Sequence, residues 1–281
     1  MFSPYYAAAR RLGWSDPENF CAVNVALYEP RRKFWSLTER TRRDLRRNRD
    51  SLAIGPSSLL CDGNALVIDI NELTVPVPRR IRGTVRVTPT VTNDKVMHLD
   101  EAGRHRWRPI APHARVRVEL HDPRIRWEGA AYLDTNSGDE PLEDAFLAWD
   151  WSRAHTPDGT TITYDVTRRD GSKGSLGRIF DPSGRMRTPG LPPTVPLPAT
   201  HWRIARNVRC DVECSPHVVR TLEDTPFYAR SVVETHLGSK PVTAIHESLS
   251  LSRVANPIVR CMLPFRMPRK RFRHPNDVWR A

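Results

Sequence analysis

The segments GTVRVTPTV (residues 83–91) and ARVRVEL (residues 114–120) alternate apolar and polar side chains with a period of two. Successive side chains point to opposite faces of a strand, so this period predicts strands with one buried face. FCAVNVALY (residues 20–28) and ALVIDINEL (residues 65–73) have the same character. Later strands are predicted at residues 161–167, 202–212, 227–235 and 242–251. The sequence therefore predicts an all-β chain.

Proline content and turn sequences refine this prediction. The 281 residues include 25 prolines but only 14 glycines, and frequent proline disfavours long helices, so few short helices are expected. The basic segment 39–50 could be a helix or a charged edge strand with a loop, and the proline-rich segment 186–198 should be an extended connector. A turn-rich zone near 138–145 suggests two β domains in tandem, at residues 1–142 and 143–281.

The net charge is +12, and most of the positive charge is arginine. Charge alone leaves nucleic acid, an anionic membrane surface and an acidic partner open. Zinc-finger spacings and aromatic RNA-binding motifs do not accompany the charge, so no nucleic-acid partner is expected. A genomic bias toward arginine codons and a membrane-facing patch both remain open as explanations.

The cysteines and the apolar runs suggest a compartment. Five cysteines without a CxxC pair favour reduced thiols in the cytoplasm, with no metal site. The first residues lack the charged and apolar regions of a signal peptide. No run approaches the ~18 apolar residues of a spanning helix, so any membrane contact is expected to be peripheral.

Two residue pairs are candidates for chemistry. His105 and Trp107, and likewise Tyr132 and Asp134, are spaced i, i+2 and so share a face if their segments are strands. Two strands could then bring an imidazole, a carboxyl group and two aromatic rings into one cavity, where a proton could move onto or off an apolar molecule. The structural alternative is that Asp134 opens a turn and the aromatic rings belong to the core.

Other candidates have structural interpretations. Asp139 and Glu140 are expected in a solvated turn, and Trp149 to Trp151 at the junction between the two domains. His246-Glu247 lacks the second histidine of a metal-binding helix, so core or rim placement is favoured over a metal site.

Six segments together resemble the acyclic carotenoid 1,2-hydratases, also called hydroxyneurosporene synthases. They preserve their order from residue 2 to about residue 269 and are FSPYY (2–6), CAVNVALY (21–28), IGPS (54–57), WDWSRA (149–154), LEDTPFYAR (222–230) and MLPFRMPR (262–269).

The resemblance implies a fold and an activity. The fold would be two lipocalin-like antiparallel β-barrels in tandem, with most of the active site in the N-terminal barrel. The activity would be addition of water to the terminal C1–C2 double bond of neurosporene, lycopene or a mono-hydroxylated derivative, without organic cofactor or metal. The family's proposed active-site residues match His105, Trp107, Tyr132 and Asp134.

The chemistry of alkene hydration suggests a role for each of these residues. Asp134 would be the acid, and Trp107 and Tyr132 would offer π faces to a carbocation. His105 would either tune Asp134 by a hydrogen bond or accept a proton from water. A non-catalytic lipid carrier and an acid-initiated isoprenoid cyclase are the rival functions.

The predicted substrate also suggests a location. An insoluble polyene would be taken from the inner or photosynthetic membrane, so the enzyme should associate peripherally with that membrane. The candidate docking residues are the arginines of the basic segment, namely Arg40, Arg42, Arg43, Arg46, Arg47 and Arg49, or alternatively the tail at residues 266–273.

Overall fold

The computed structural model describes residues 3–14, 16–156 and 158–272, and the chain is almost entirely β within these ranges. Phe2 of the first motif and Arg273 of the predicted docking tail lie outside the described residues. The helices are short, and the longest described one has 10 residues. They are α1 (Pro4–Arg11), α2 (Leu142–Ala145), α3 (Leu251–Val254) and α4 (Pro257–Arg266), with 3-10 turns at Pro17–Asn19 and Arg42–Asp44.

The predicted all-β class is confirmed. The strands, β1 to β19 in chain order, are Cys21–Tyr28, Lys33–Arg40, Leu45–Arg47, Ser51–Ile54, Ser57–Cys61, Leu66–Leu73, Arg80–Val91, Met97–His98, His105–Asp122, Ile125–Gly138, Phe146–Thr156, Gly159–Arg168, Lys173–Phe180, Met186–Arg187, Thr194–Leu197, Arg206–Arg209, His217–Asp224, Tyr228–His236 and Pro241–Ser250.

Two large sheets dominate the described residues. The eight-stranded sheet has the order β10-β9-β7-β6-β5-β4-β3, with β8 paired to β9, and the seven-stranded sheet has the order β14-β13-β12-β11-β19-β18-β17. Neither ladder closes on itself within the described residues, so open sheets stand where closed barrels were expected. The edge strands differ in length: β3 has three residues and β14 has two, whereas β10 and β17 at the opposite edges have 14 and 8.

Contacts group the described residues into two compact units. One comprises Thr90–Ala114 and Tyr132–Val259, and the other holds the remaining described residues, including Arg115–Ala131. The long strands β9 and β10 contribute to both groups. The predicted domain boundary after residue 142 stays a prediction. All of the proposed site residues fall in the first unit, together with strands from the C-terminal half of the chain.

The ambiguous segments have definite structures. Residues 39–50 form the end of β2, a 3-10 turn and the edge strand β3, which is the second of the two predicted alternatives. Arg40 is buried in an ion pair with Glu72 (3.3 Å), so its predicted role in membrane docking is wrong. The strand predicted at 202–212 shortens to β16, because Arg203 has a left-handed φ of 56° that makes a turn.

His246 lies in a buried polar network on one face of the seven-stranded sheet. Its Nδ1 is 2.6 Å from Ser152 Oγ, its Nε2 is 3.0 Å from Ser248 Oγ, and Ser248 donates to Asp150 (2.5 Å). The neighbouring Glu247 points to the other face of the strand. The predicted core placement of His246 is therefore confirmed, and no group of three potential metal ligands occurs in the described ranges.

The cysteines and helices complete the description of the fold. All five cysteines are free, with Cys210 buried and Cys61 and Cys261 exposed. None of the helices within the described residues has the length and apolarity needed to cross a membrane.

Candidate active site

Strands β9 and β10 position the two residue pairs that the sequence singles out. His105 and Trp107 occupy alternate positions at the start of β9, and both are buried. The short strand β8 covers one flank of this segment, with Met97 opposite Trp107. Asp134, near the end of β10, accepts a hydrogen bond from the indole Nε1 of Trp107 at 2.8 Å. The predicted convergence of an aromatic ring and a carboxyl group therefore holds for this pair.

Tyr132 completes the immediate surroundings of the carboxyl group. Its hydroxyl donates to the same oxygen of Asp134, Oδ2, at 3.0 Å. Among the described residues, both hydrogen bonds of the carboxyl group go to Oδ2, which leaves Oδ1 to carry a proton. Three of the four predicted site residues thus form one hydrogen-bonded group.

The environment of Asp134 raises its pKa above the ordinary value of an aspartate. Burial is the largest cause, since desolvation disfavours the carboxylate. The hydrogen bonds from Trp107 and Tyr132 act in the opposite direction, because they stabilise the anion. The charge of Glu247 raises the pKa, and that of Arg153 lowers it. The net result is a carboxyl group whose pKa is raised, so it keeps its proton to a higher pH than an ordinary aspartate does.

Aromatic rings from β11 and β12 surround this group. Trp151 contacts Tyr132 with ring centroids 5.8 Å apart, and Tyr164 meets Trp107 edge-on, also at 5.8 Å. Trp149 makes a similar edge contact with Tyr164. These tryptophans were expected at a domain junction, but the structure places them at the candidate site. Their alternation in WDWSR was the available signal, since residues 149, 151 and 153 share one strand face.

Arg153 is a site residue that the sequence did not single out. Its guanidinium carbon lies 5.2 Å from the centroid of the Tyr132 ring, and its Nη1 donates to His155 Nε2 at 2.5 Å. Burial and the neighbouring cation lower the pKa of His155 to about 4, so its imidazole is neutral and can accept this bond. The other ring nitrogen contacts Thr160 Oγ1 at 2.7 Å. His155 therefore fixes the arginine beside the tyrosine.

Glu247 brings a negative charge to the same sheet face. It pairs in register with Trp151 on β11 and with Arg230 on β18. Arg230 Nη2 lies 2.7 Å from its Oε1, so the carboxylate is held in an ion pair. Asp134 thus has a fixed cation and a fixed anion among its neighbours.

His105 does not join the hydrogen-bonded group. Its Nε2 lies 3.4 Å from Glu140 Oε1, and its ring packs edge-on against Phe146 at 4.9 Å. Neither ring nitrogen has a hydrogen-bond partner among the described residues, so the expected tuning of Asp134 by a hydrogen bond is wrong. The register of the strands is the reason, because it places His105 against Gly138 rather than Asp134. A Cβ atom added to Gly138 would lie only 2.9 Å from Nδ1 of His105.

A cavity of ≈ 190 Å³ lies beside the aromatic group. Tyr164 forms part of its wall, and the remaining lining comes from residues 98–101 and from β12 and β13. Polar side chains, including Asp100, Arg168 and Ser175, contribute to that lining. The cavity can therefore hold water or a small polar group next to the aromatic rings.

Comparison with known proteins identifies the family. The family model described as carotenoid hydratase CrtC matches residues 1–276. The chain belongs to this family. The expected resemblance is confirmed over nearly the whole sequence.

Relatives in the carotenoid hydratase family are closely similar. An acyclic carotenoid 1,2-hydratase from Thiocapsa roseopersicina is 56% identical over 96% of this chain and 67% of its own length. Those from Rubrivivax gelatinosus and Cereibacter sphaeroides are 50% and 37% identical, each over 96% of this chain, covering 67% and 95% of the relative. A crystal structure of an AttH-type protein from Nitrosomonas europaea matches with a TM-score of 0.57 and 16% identity, covering 81% of this chain and 80% of that one. This last likeness concerns the fold alone.

Removal of the charge on Arg153 or on Glu247 is expected to shift the pKa of Asp134 in opposite directions. We expect Arg153→Gln to raise the pKa of Asp134 further, because it removes a cation that stabilises the carboxylate. We expect Glu247→Gln to lower it, because it removes a repelling anion. Carbon-13 NMR of protein labelled at the aspartate carboxyl groups would measure both shifts, with the Asp134 signal assigned by its loss in Asp134→Asn.

Asp165→Asn is the matched control for these charge changes. It removes a carboxylate from the same sheet, one that forms an ion pair with Arg209 and is no cause of the raised pKa. Shifts of the same sign in Arg153→Gln and Glu247→Gln would contradict the assigned electrostatics.

Proposed function

We propose that this chain hydrates the terminal C1–C2 double bond of acyclic carotenoids such as neurosporene, lycopene or a mono-hydroxylated derivative. It would act as a hydro-lyase without organic cofactor or metal. Membership of the carotenoid hydratase family supports the substrate class. The observation that carries the mechanism is Asp134, a carboxyl group with a raised pKa that is hydrogen-bonded and bordered by aromatic rings.

The first step is proton transfer from Asp134 to C2 of the alkene. The π electrons form the new C–H bond, and the positive charge stays on C1 as a tertiary carbocation. Asp134 becomes a carboxylate, which Trp107 and Tyr132 stabilise through their hydrogen bonds. Hydrogen bonds to an ionised acceptor are stronger than hydrogen bonds to a neutral one. Both donors therefore stabilise the transition state, in which Asp134 gains negative charge, more than the ground state.

The aromatic rings lower the energy of the carbocation. Trp107, Tyr132, Trp151 and Tyr164 supply π faces in a site with little water, where a cation–π contact is worth about 2 kcal/mol or more. Arg153 carries a positive charge that would repel the carbocation. Its guanidinium lies over the Tyr132 ring and is held there by His155. We propose that it instead balances the negative charge on Asp134 after proton transfer.

Water capture completes the reaction. The oxygen of a water molecule bonds to C1, and the proton it releases returns to the Asp134 carboxylate, so the acid is regenerated. The polar cavity beside Tyr164 would supply this water. In this proposal His105 is a positioning residue, because it packs against Gly138 at the end of the strand that carries Asp134.

The membrane is the proposed source of the substrate. Acyclic carotenoids are apolar polyenes that dissolve in lipid rather than water, so the enzyme would associate peripherally with the inner or photosynthetic membrane.

Expression in a lycopene-producing host tests the function directly. We expect a product heavier by one water, and isotope-labelled water should place its oxygen at C1 as a tertiary alcohol. A product isomeric with lycopene would indicate a cyclase instead. Bound but unchanged lycopene would indicate a carrier.

A further inference from the structure

Helix α4 has an exposed apolar stripe. Ile258 and Phe265 expose 72% and 77% of their surface, and Cys261 and Met262 between them are also exposed. Positions 258, 261, 262 and 265 are spaced i, i+3, i+4 and i+7, so they form one face of the helix. Val259 and Leu263, on the other side of the helix, are half-buried.

Such a stripe differs from ordinary surface apolar residues. Single exposed apolar side chains are normal in soluble proteins, but contiguous ones mark a binding surface. Apolar side chains aligned along one helix face are suited to a flat apolar partner, and a lipid bilayer provides one.

The charge of this region identifies the kind of bilayer. Residues 257–272 (PIVRCMLPFRMPRKRF) contain five arginines and lysines and no acidic residue. Arg269 is engaged in an ion pair with the buried Glu39. Arg266, Lys270 and Arg271 are exposed, and Arg266 also packs over the Trp35 ring. Each basic residue near an anionic membrane surface strengthens binding to it.

We propose that α4 lies in the interface of an anionic lipid bilayer. Ile258, Met262 and Phe265 insert at the boundary of headgroups and acyl chains, while Arg266 and the exposed cations after it contact lipid phosphates. This inference rests on the proposed function in one respect, since a membrane-dissolved substrate gives the enzyme a reason to dock. It includes the tail at residues 266–273, one of the two predicted docking surfaces, and the exposed arginines of segment 39–50 stay a prediction.

Vesicle sedimentation tests the proposal. The full chain is mixed at low salt with vesicles of phosphatidylcholine alone or phosphatidylcholine mixed with phosphatidylglycerol. We expect stronger binding to the anionic vesicles and weaker binding as salt is added. The double variant Ile258→Glu/Phe265→Glu should bind about tenfold more weakly or worse, because two large apolar side chains lose their burial.

The matched control is Val212→Glu/Val219→Glu, with the same spacing and with 73% and 52% exposure in the wild type. It should bind like the wild type. Equal loss in both double variants, or no loss in the α4 variant, would overturn the proposal. So would a wild-type dimer that the α4 variant turns into a monomer in light scattering, because a second copy would then cover the stripe.

Hydration of carotenoid in detergent micelles separates this proposal from the proposed function. The α4 variant should retain wild-type hydration in micelles and lose it with carotenoid embedded in vesicles, which also shows that the variant is folded. If the wild type binds vesicles through α4 but hydrates carotenoid in neither form, the proposed function fails while the docking surface stands.

Discussion

Replacing Asp134 with asparagine is expected to reduce carotenoid hydration by about 10²–10⁴-fold, the usual contribution of a general acid, and to leave carotenoid binding unchanged. Asparagine has nearly the same shape as aspartate and its carbonyl oxygen can still accept from Trp107 and Tyr132, but it has no proton to give to an alkene. Product formation under single-turnover conditions measures the first effect, and quenching of tryptophan fluorescence by bound carotenoid measures the second. Loss of binding together with activity would contradict the assigned role.

Asp139→Asn is the matched control for this variant. Asp139 lies five residues further along the same segment, is exposed, and forms an ion pair with Arg106 (2.5 Å). Its pKa is lowered by that arginine, so it is ionised at neutral pH and cannot serve as an acid. We expect hydration close to the wild-type rate. A comparable loss in both variants would mean that the turn, rather than the acid, supports activity.

The raised pKa of Asp134 also predicts how stability changes with pH. A carboxyl group whose pKa is higher in the folded state favours folding while it is protonated, and that contribution is lost as the pH rises through the folded-state pKa. Asp134→Asn removes this dependence. The variant should therefore be at least as stable as the wild type at pH values above the pKa of Asp134, and thermal unfolding of both proteins across this pH range would check it.

Local sequence patterns predicted the strands well. Period-two alternation identified β6 and β7, and it also placed Tyr132 and Asp134 on one strand face. These features depend on neighbours within a few residues, which a sequence displays directly. The failure at 202–212 is also local, because propensity alone does not reveal the left-handed turn at Arg203.

Features that depend on register between distant strands were not predictable in the same way. The charge at Glu247 and the ring of Trp151 meet at the site because β11 and β19 pair in one particular register, and a slip of β19 by one residue would turn Glu247 to the other face. His105 illustrates the converse. It shares a strand face with Trp107, but cross-strand register places it against Gly138 rather than Asp134.

Replacing Trp107 with phenylalanine is expected to reduce hydration about ten- to hundredfold. The exchange preserves an aromatic face but removes the indole N–H that donates to Asp134 at 2.8 Å. A hydrogen bond to a charged group contributes about 1.5–3 kcal/mol, and each ~1.4 kcal/mol of transition-state energy is a factor of ten in rate. The bond is strongest once Asp134 is a carboxylate, so its loss raises the barrier more than it weakens substrate binding.

The pH profile of Trp107→Phe distinguishes this role from simple packing. The acid must be protonated to react, so activity falls as the pH rises through the pKa of Asp134. The indole N–H of Trp107 stabilises the carboxylate, so its removal raises the pKa of Asp134 further. The alkaline limb of the pH–rate profile should therefore move to higher pH while the maximal rate falls. Trp127→Phe, at an exposed position of β10, the strand that carries Asp134, should leave both the rate and the alkaline limb of the profile unchanged. A lower rate with an unmoved limb would assign Trp107 to packing alone and remove it from the proton-transfer step.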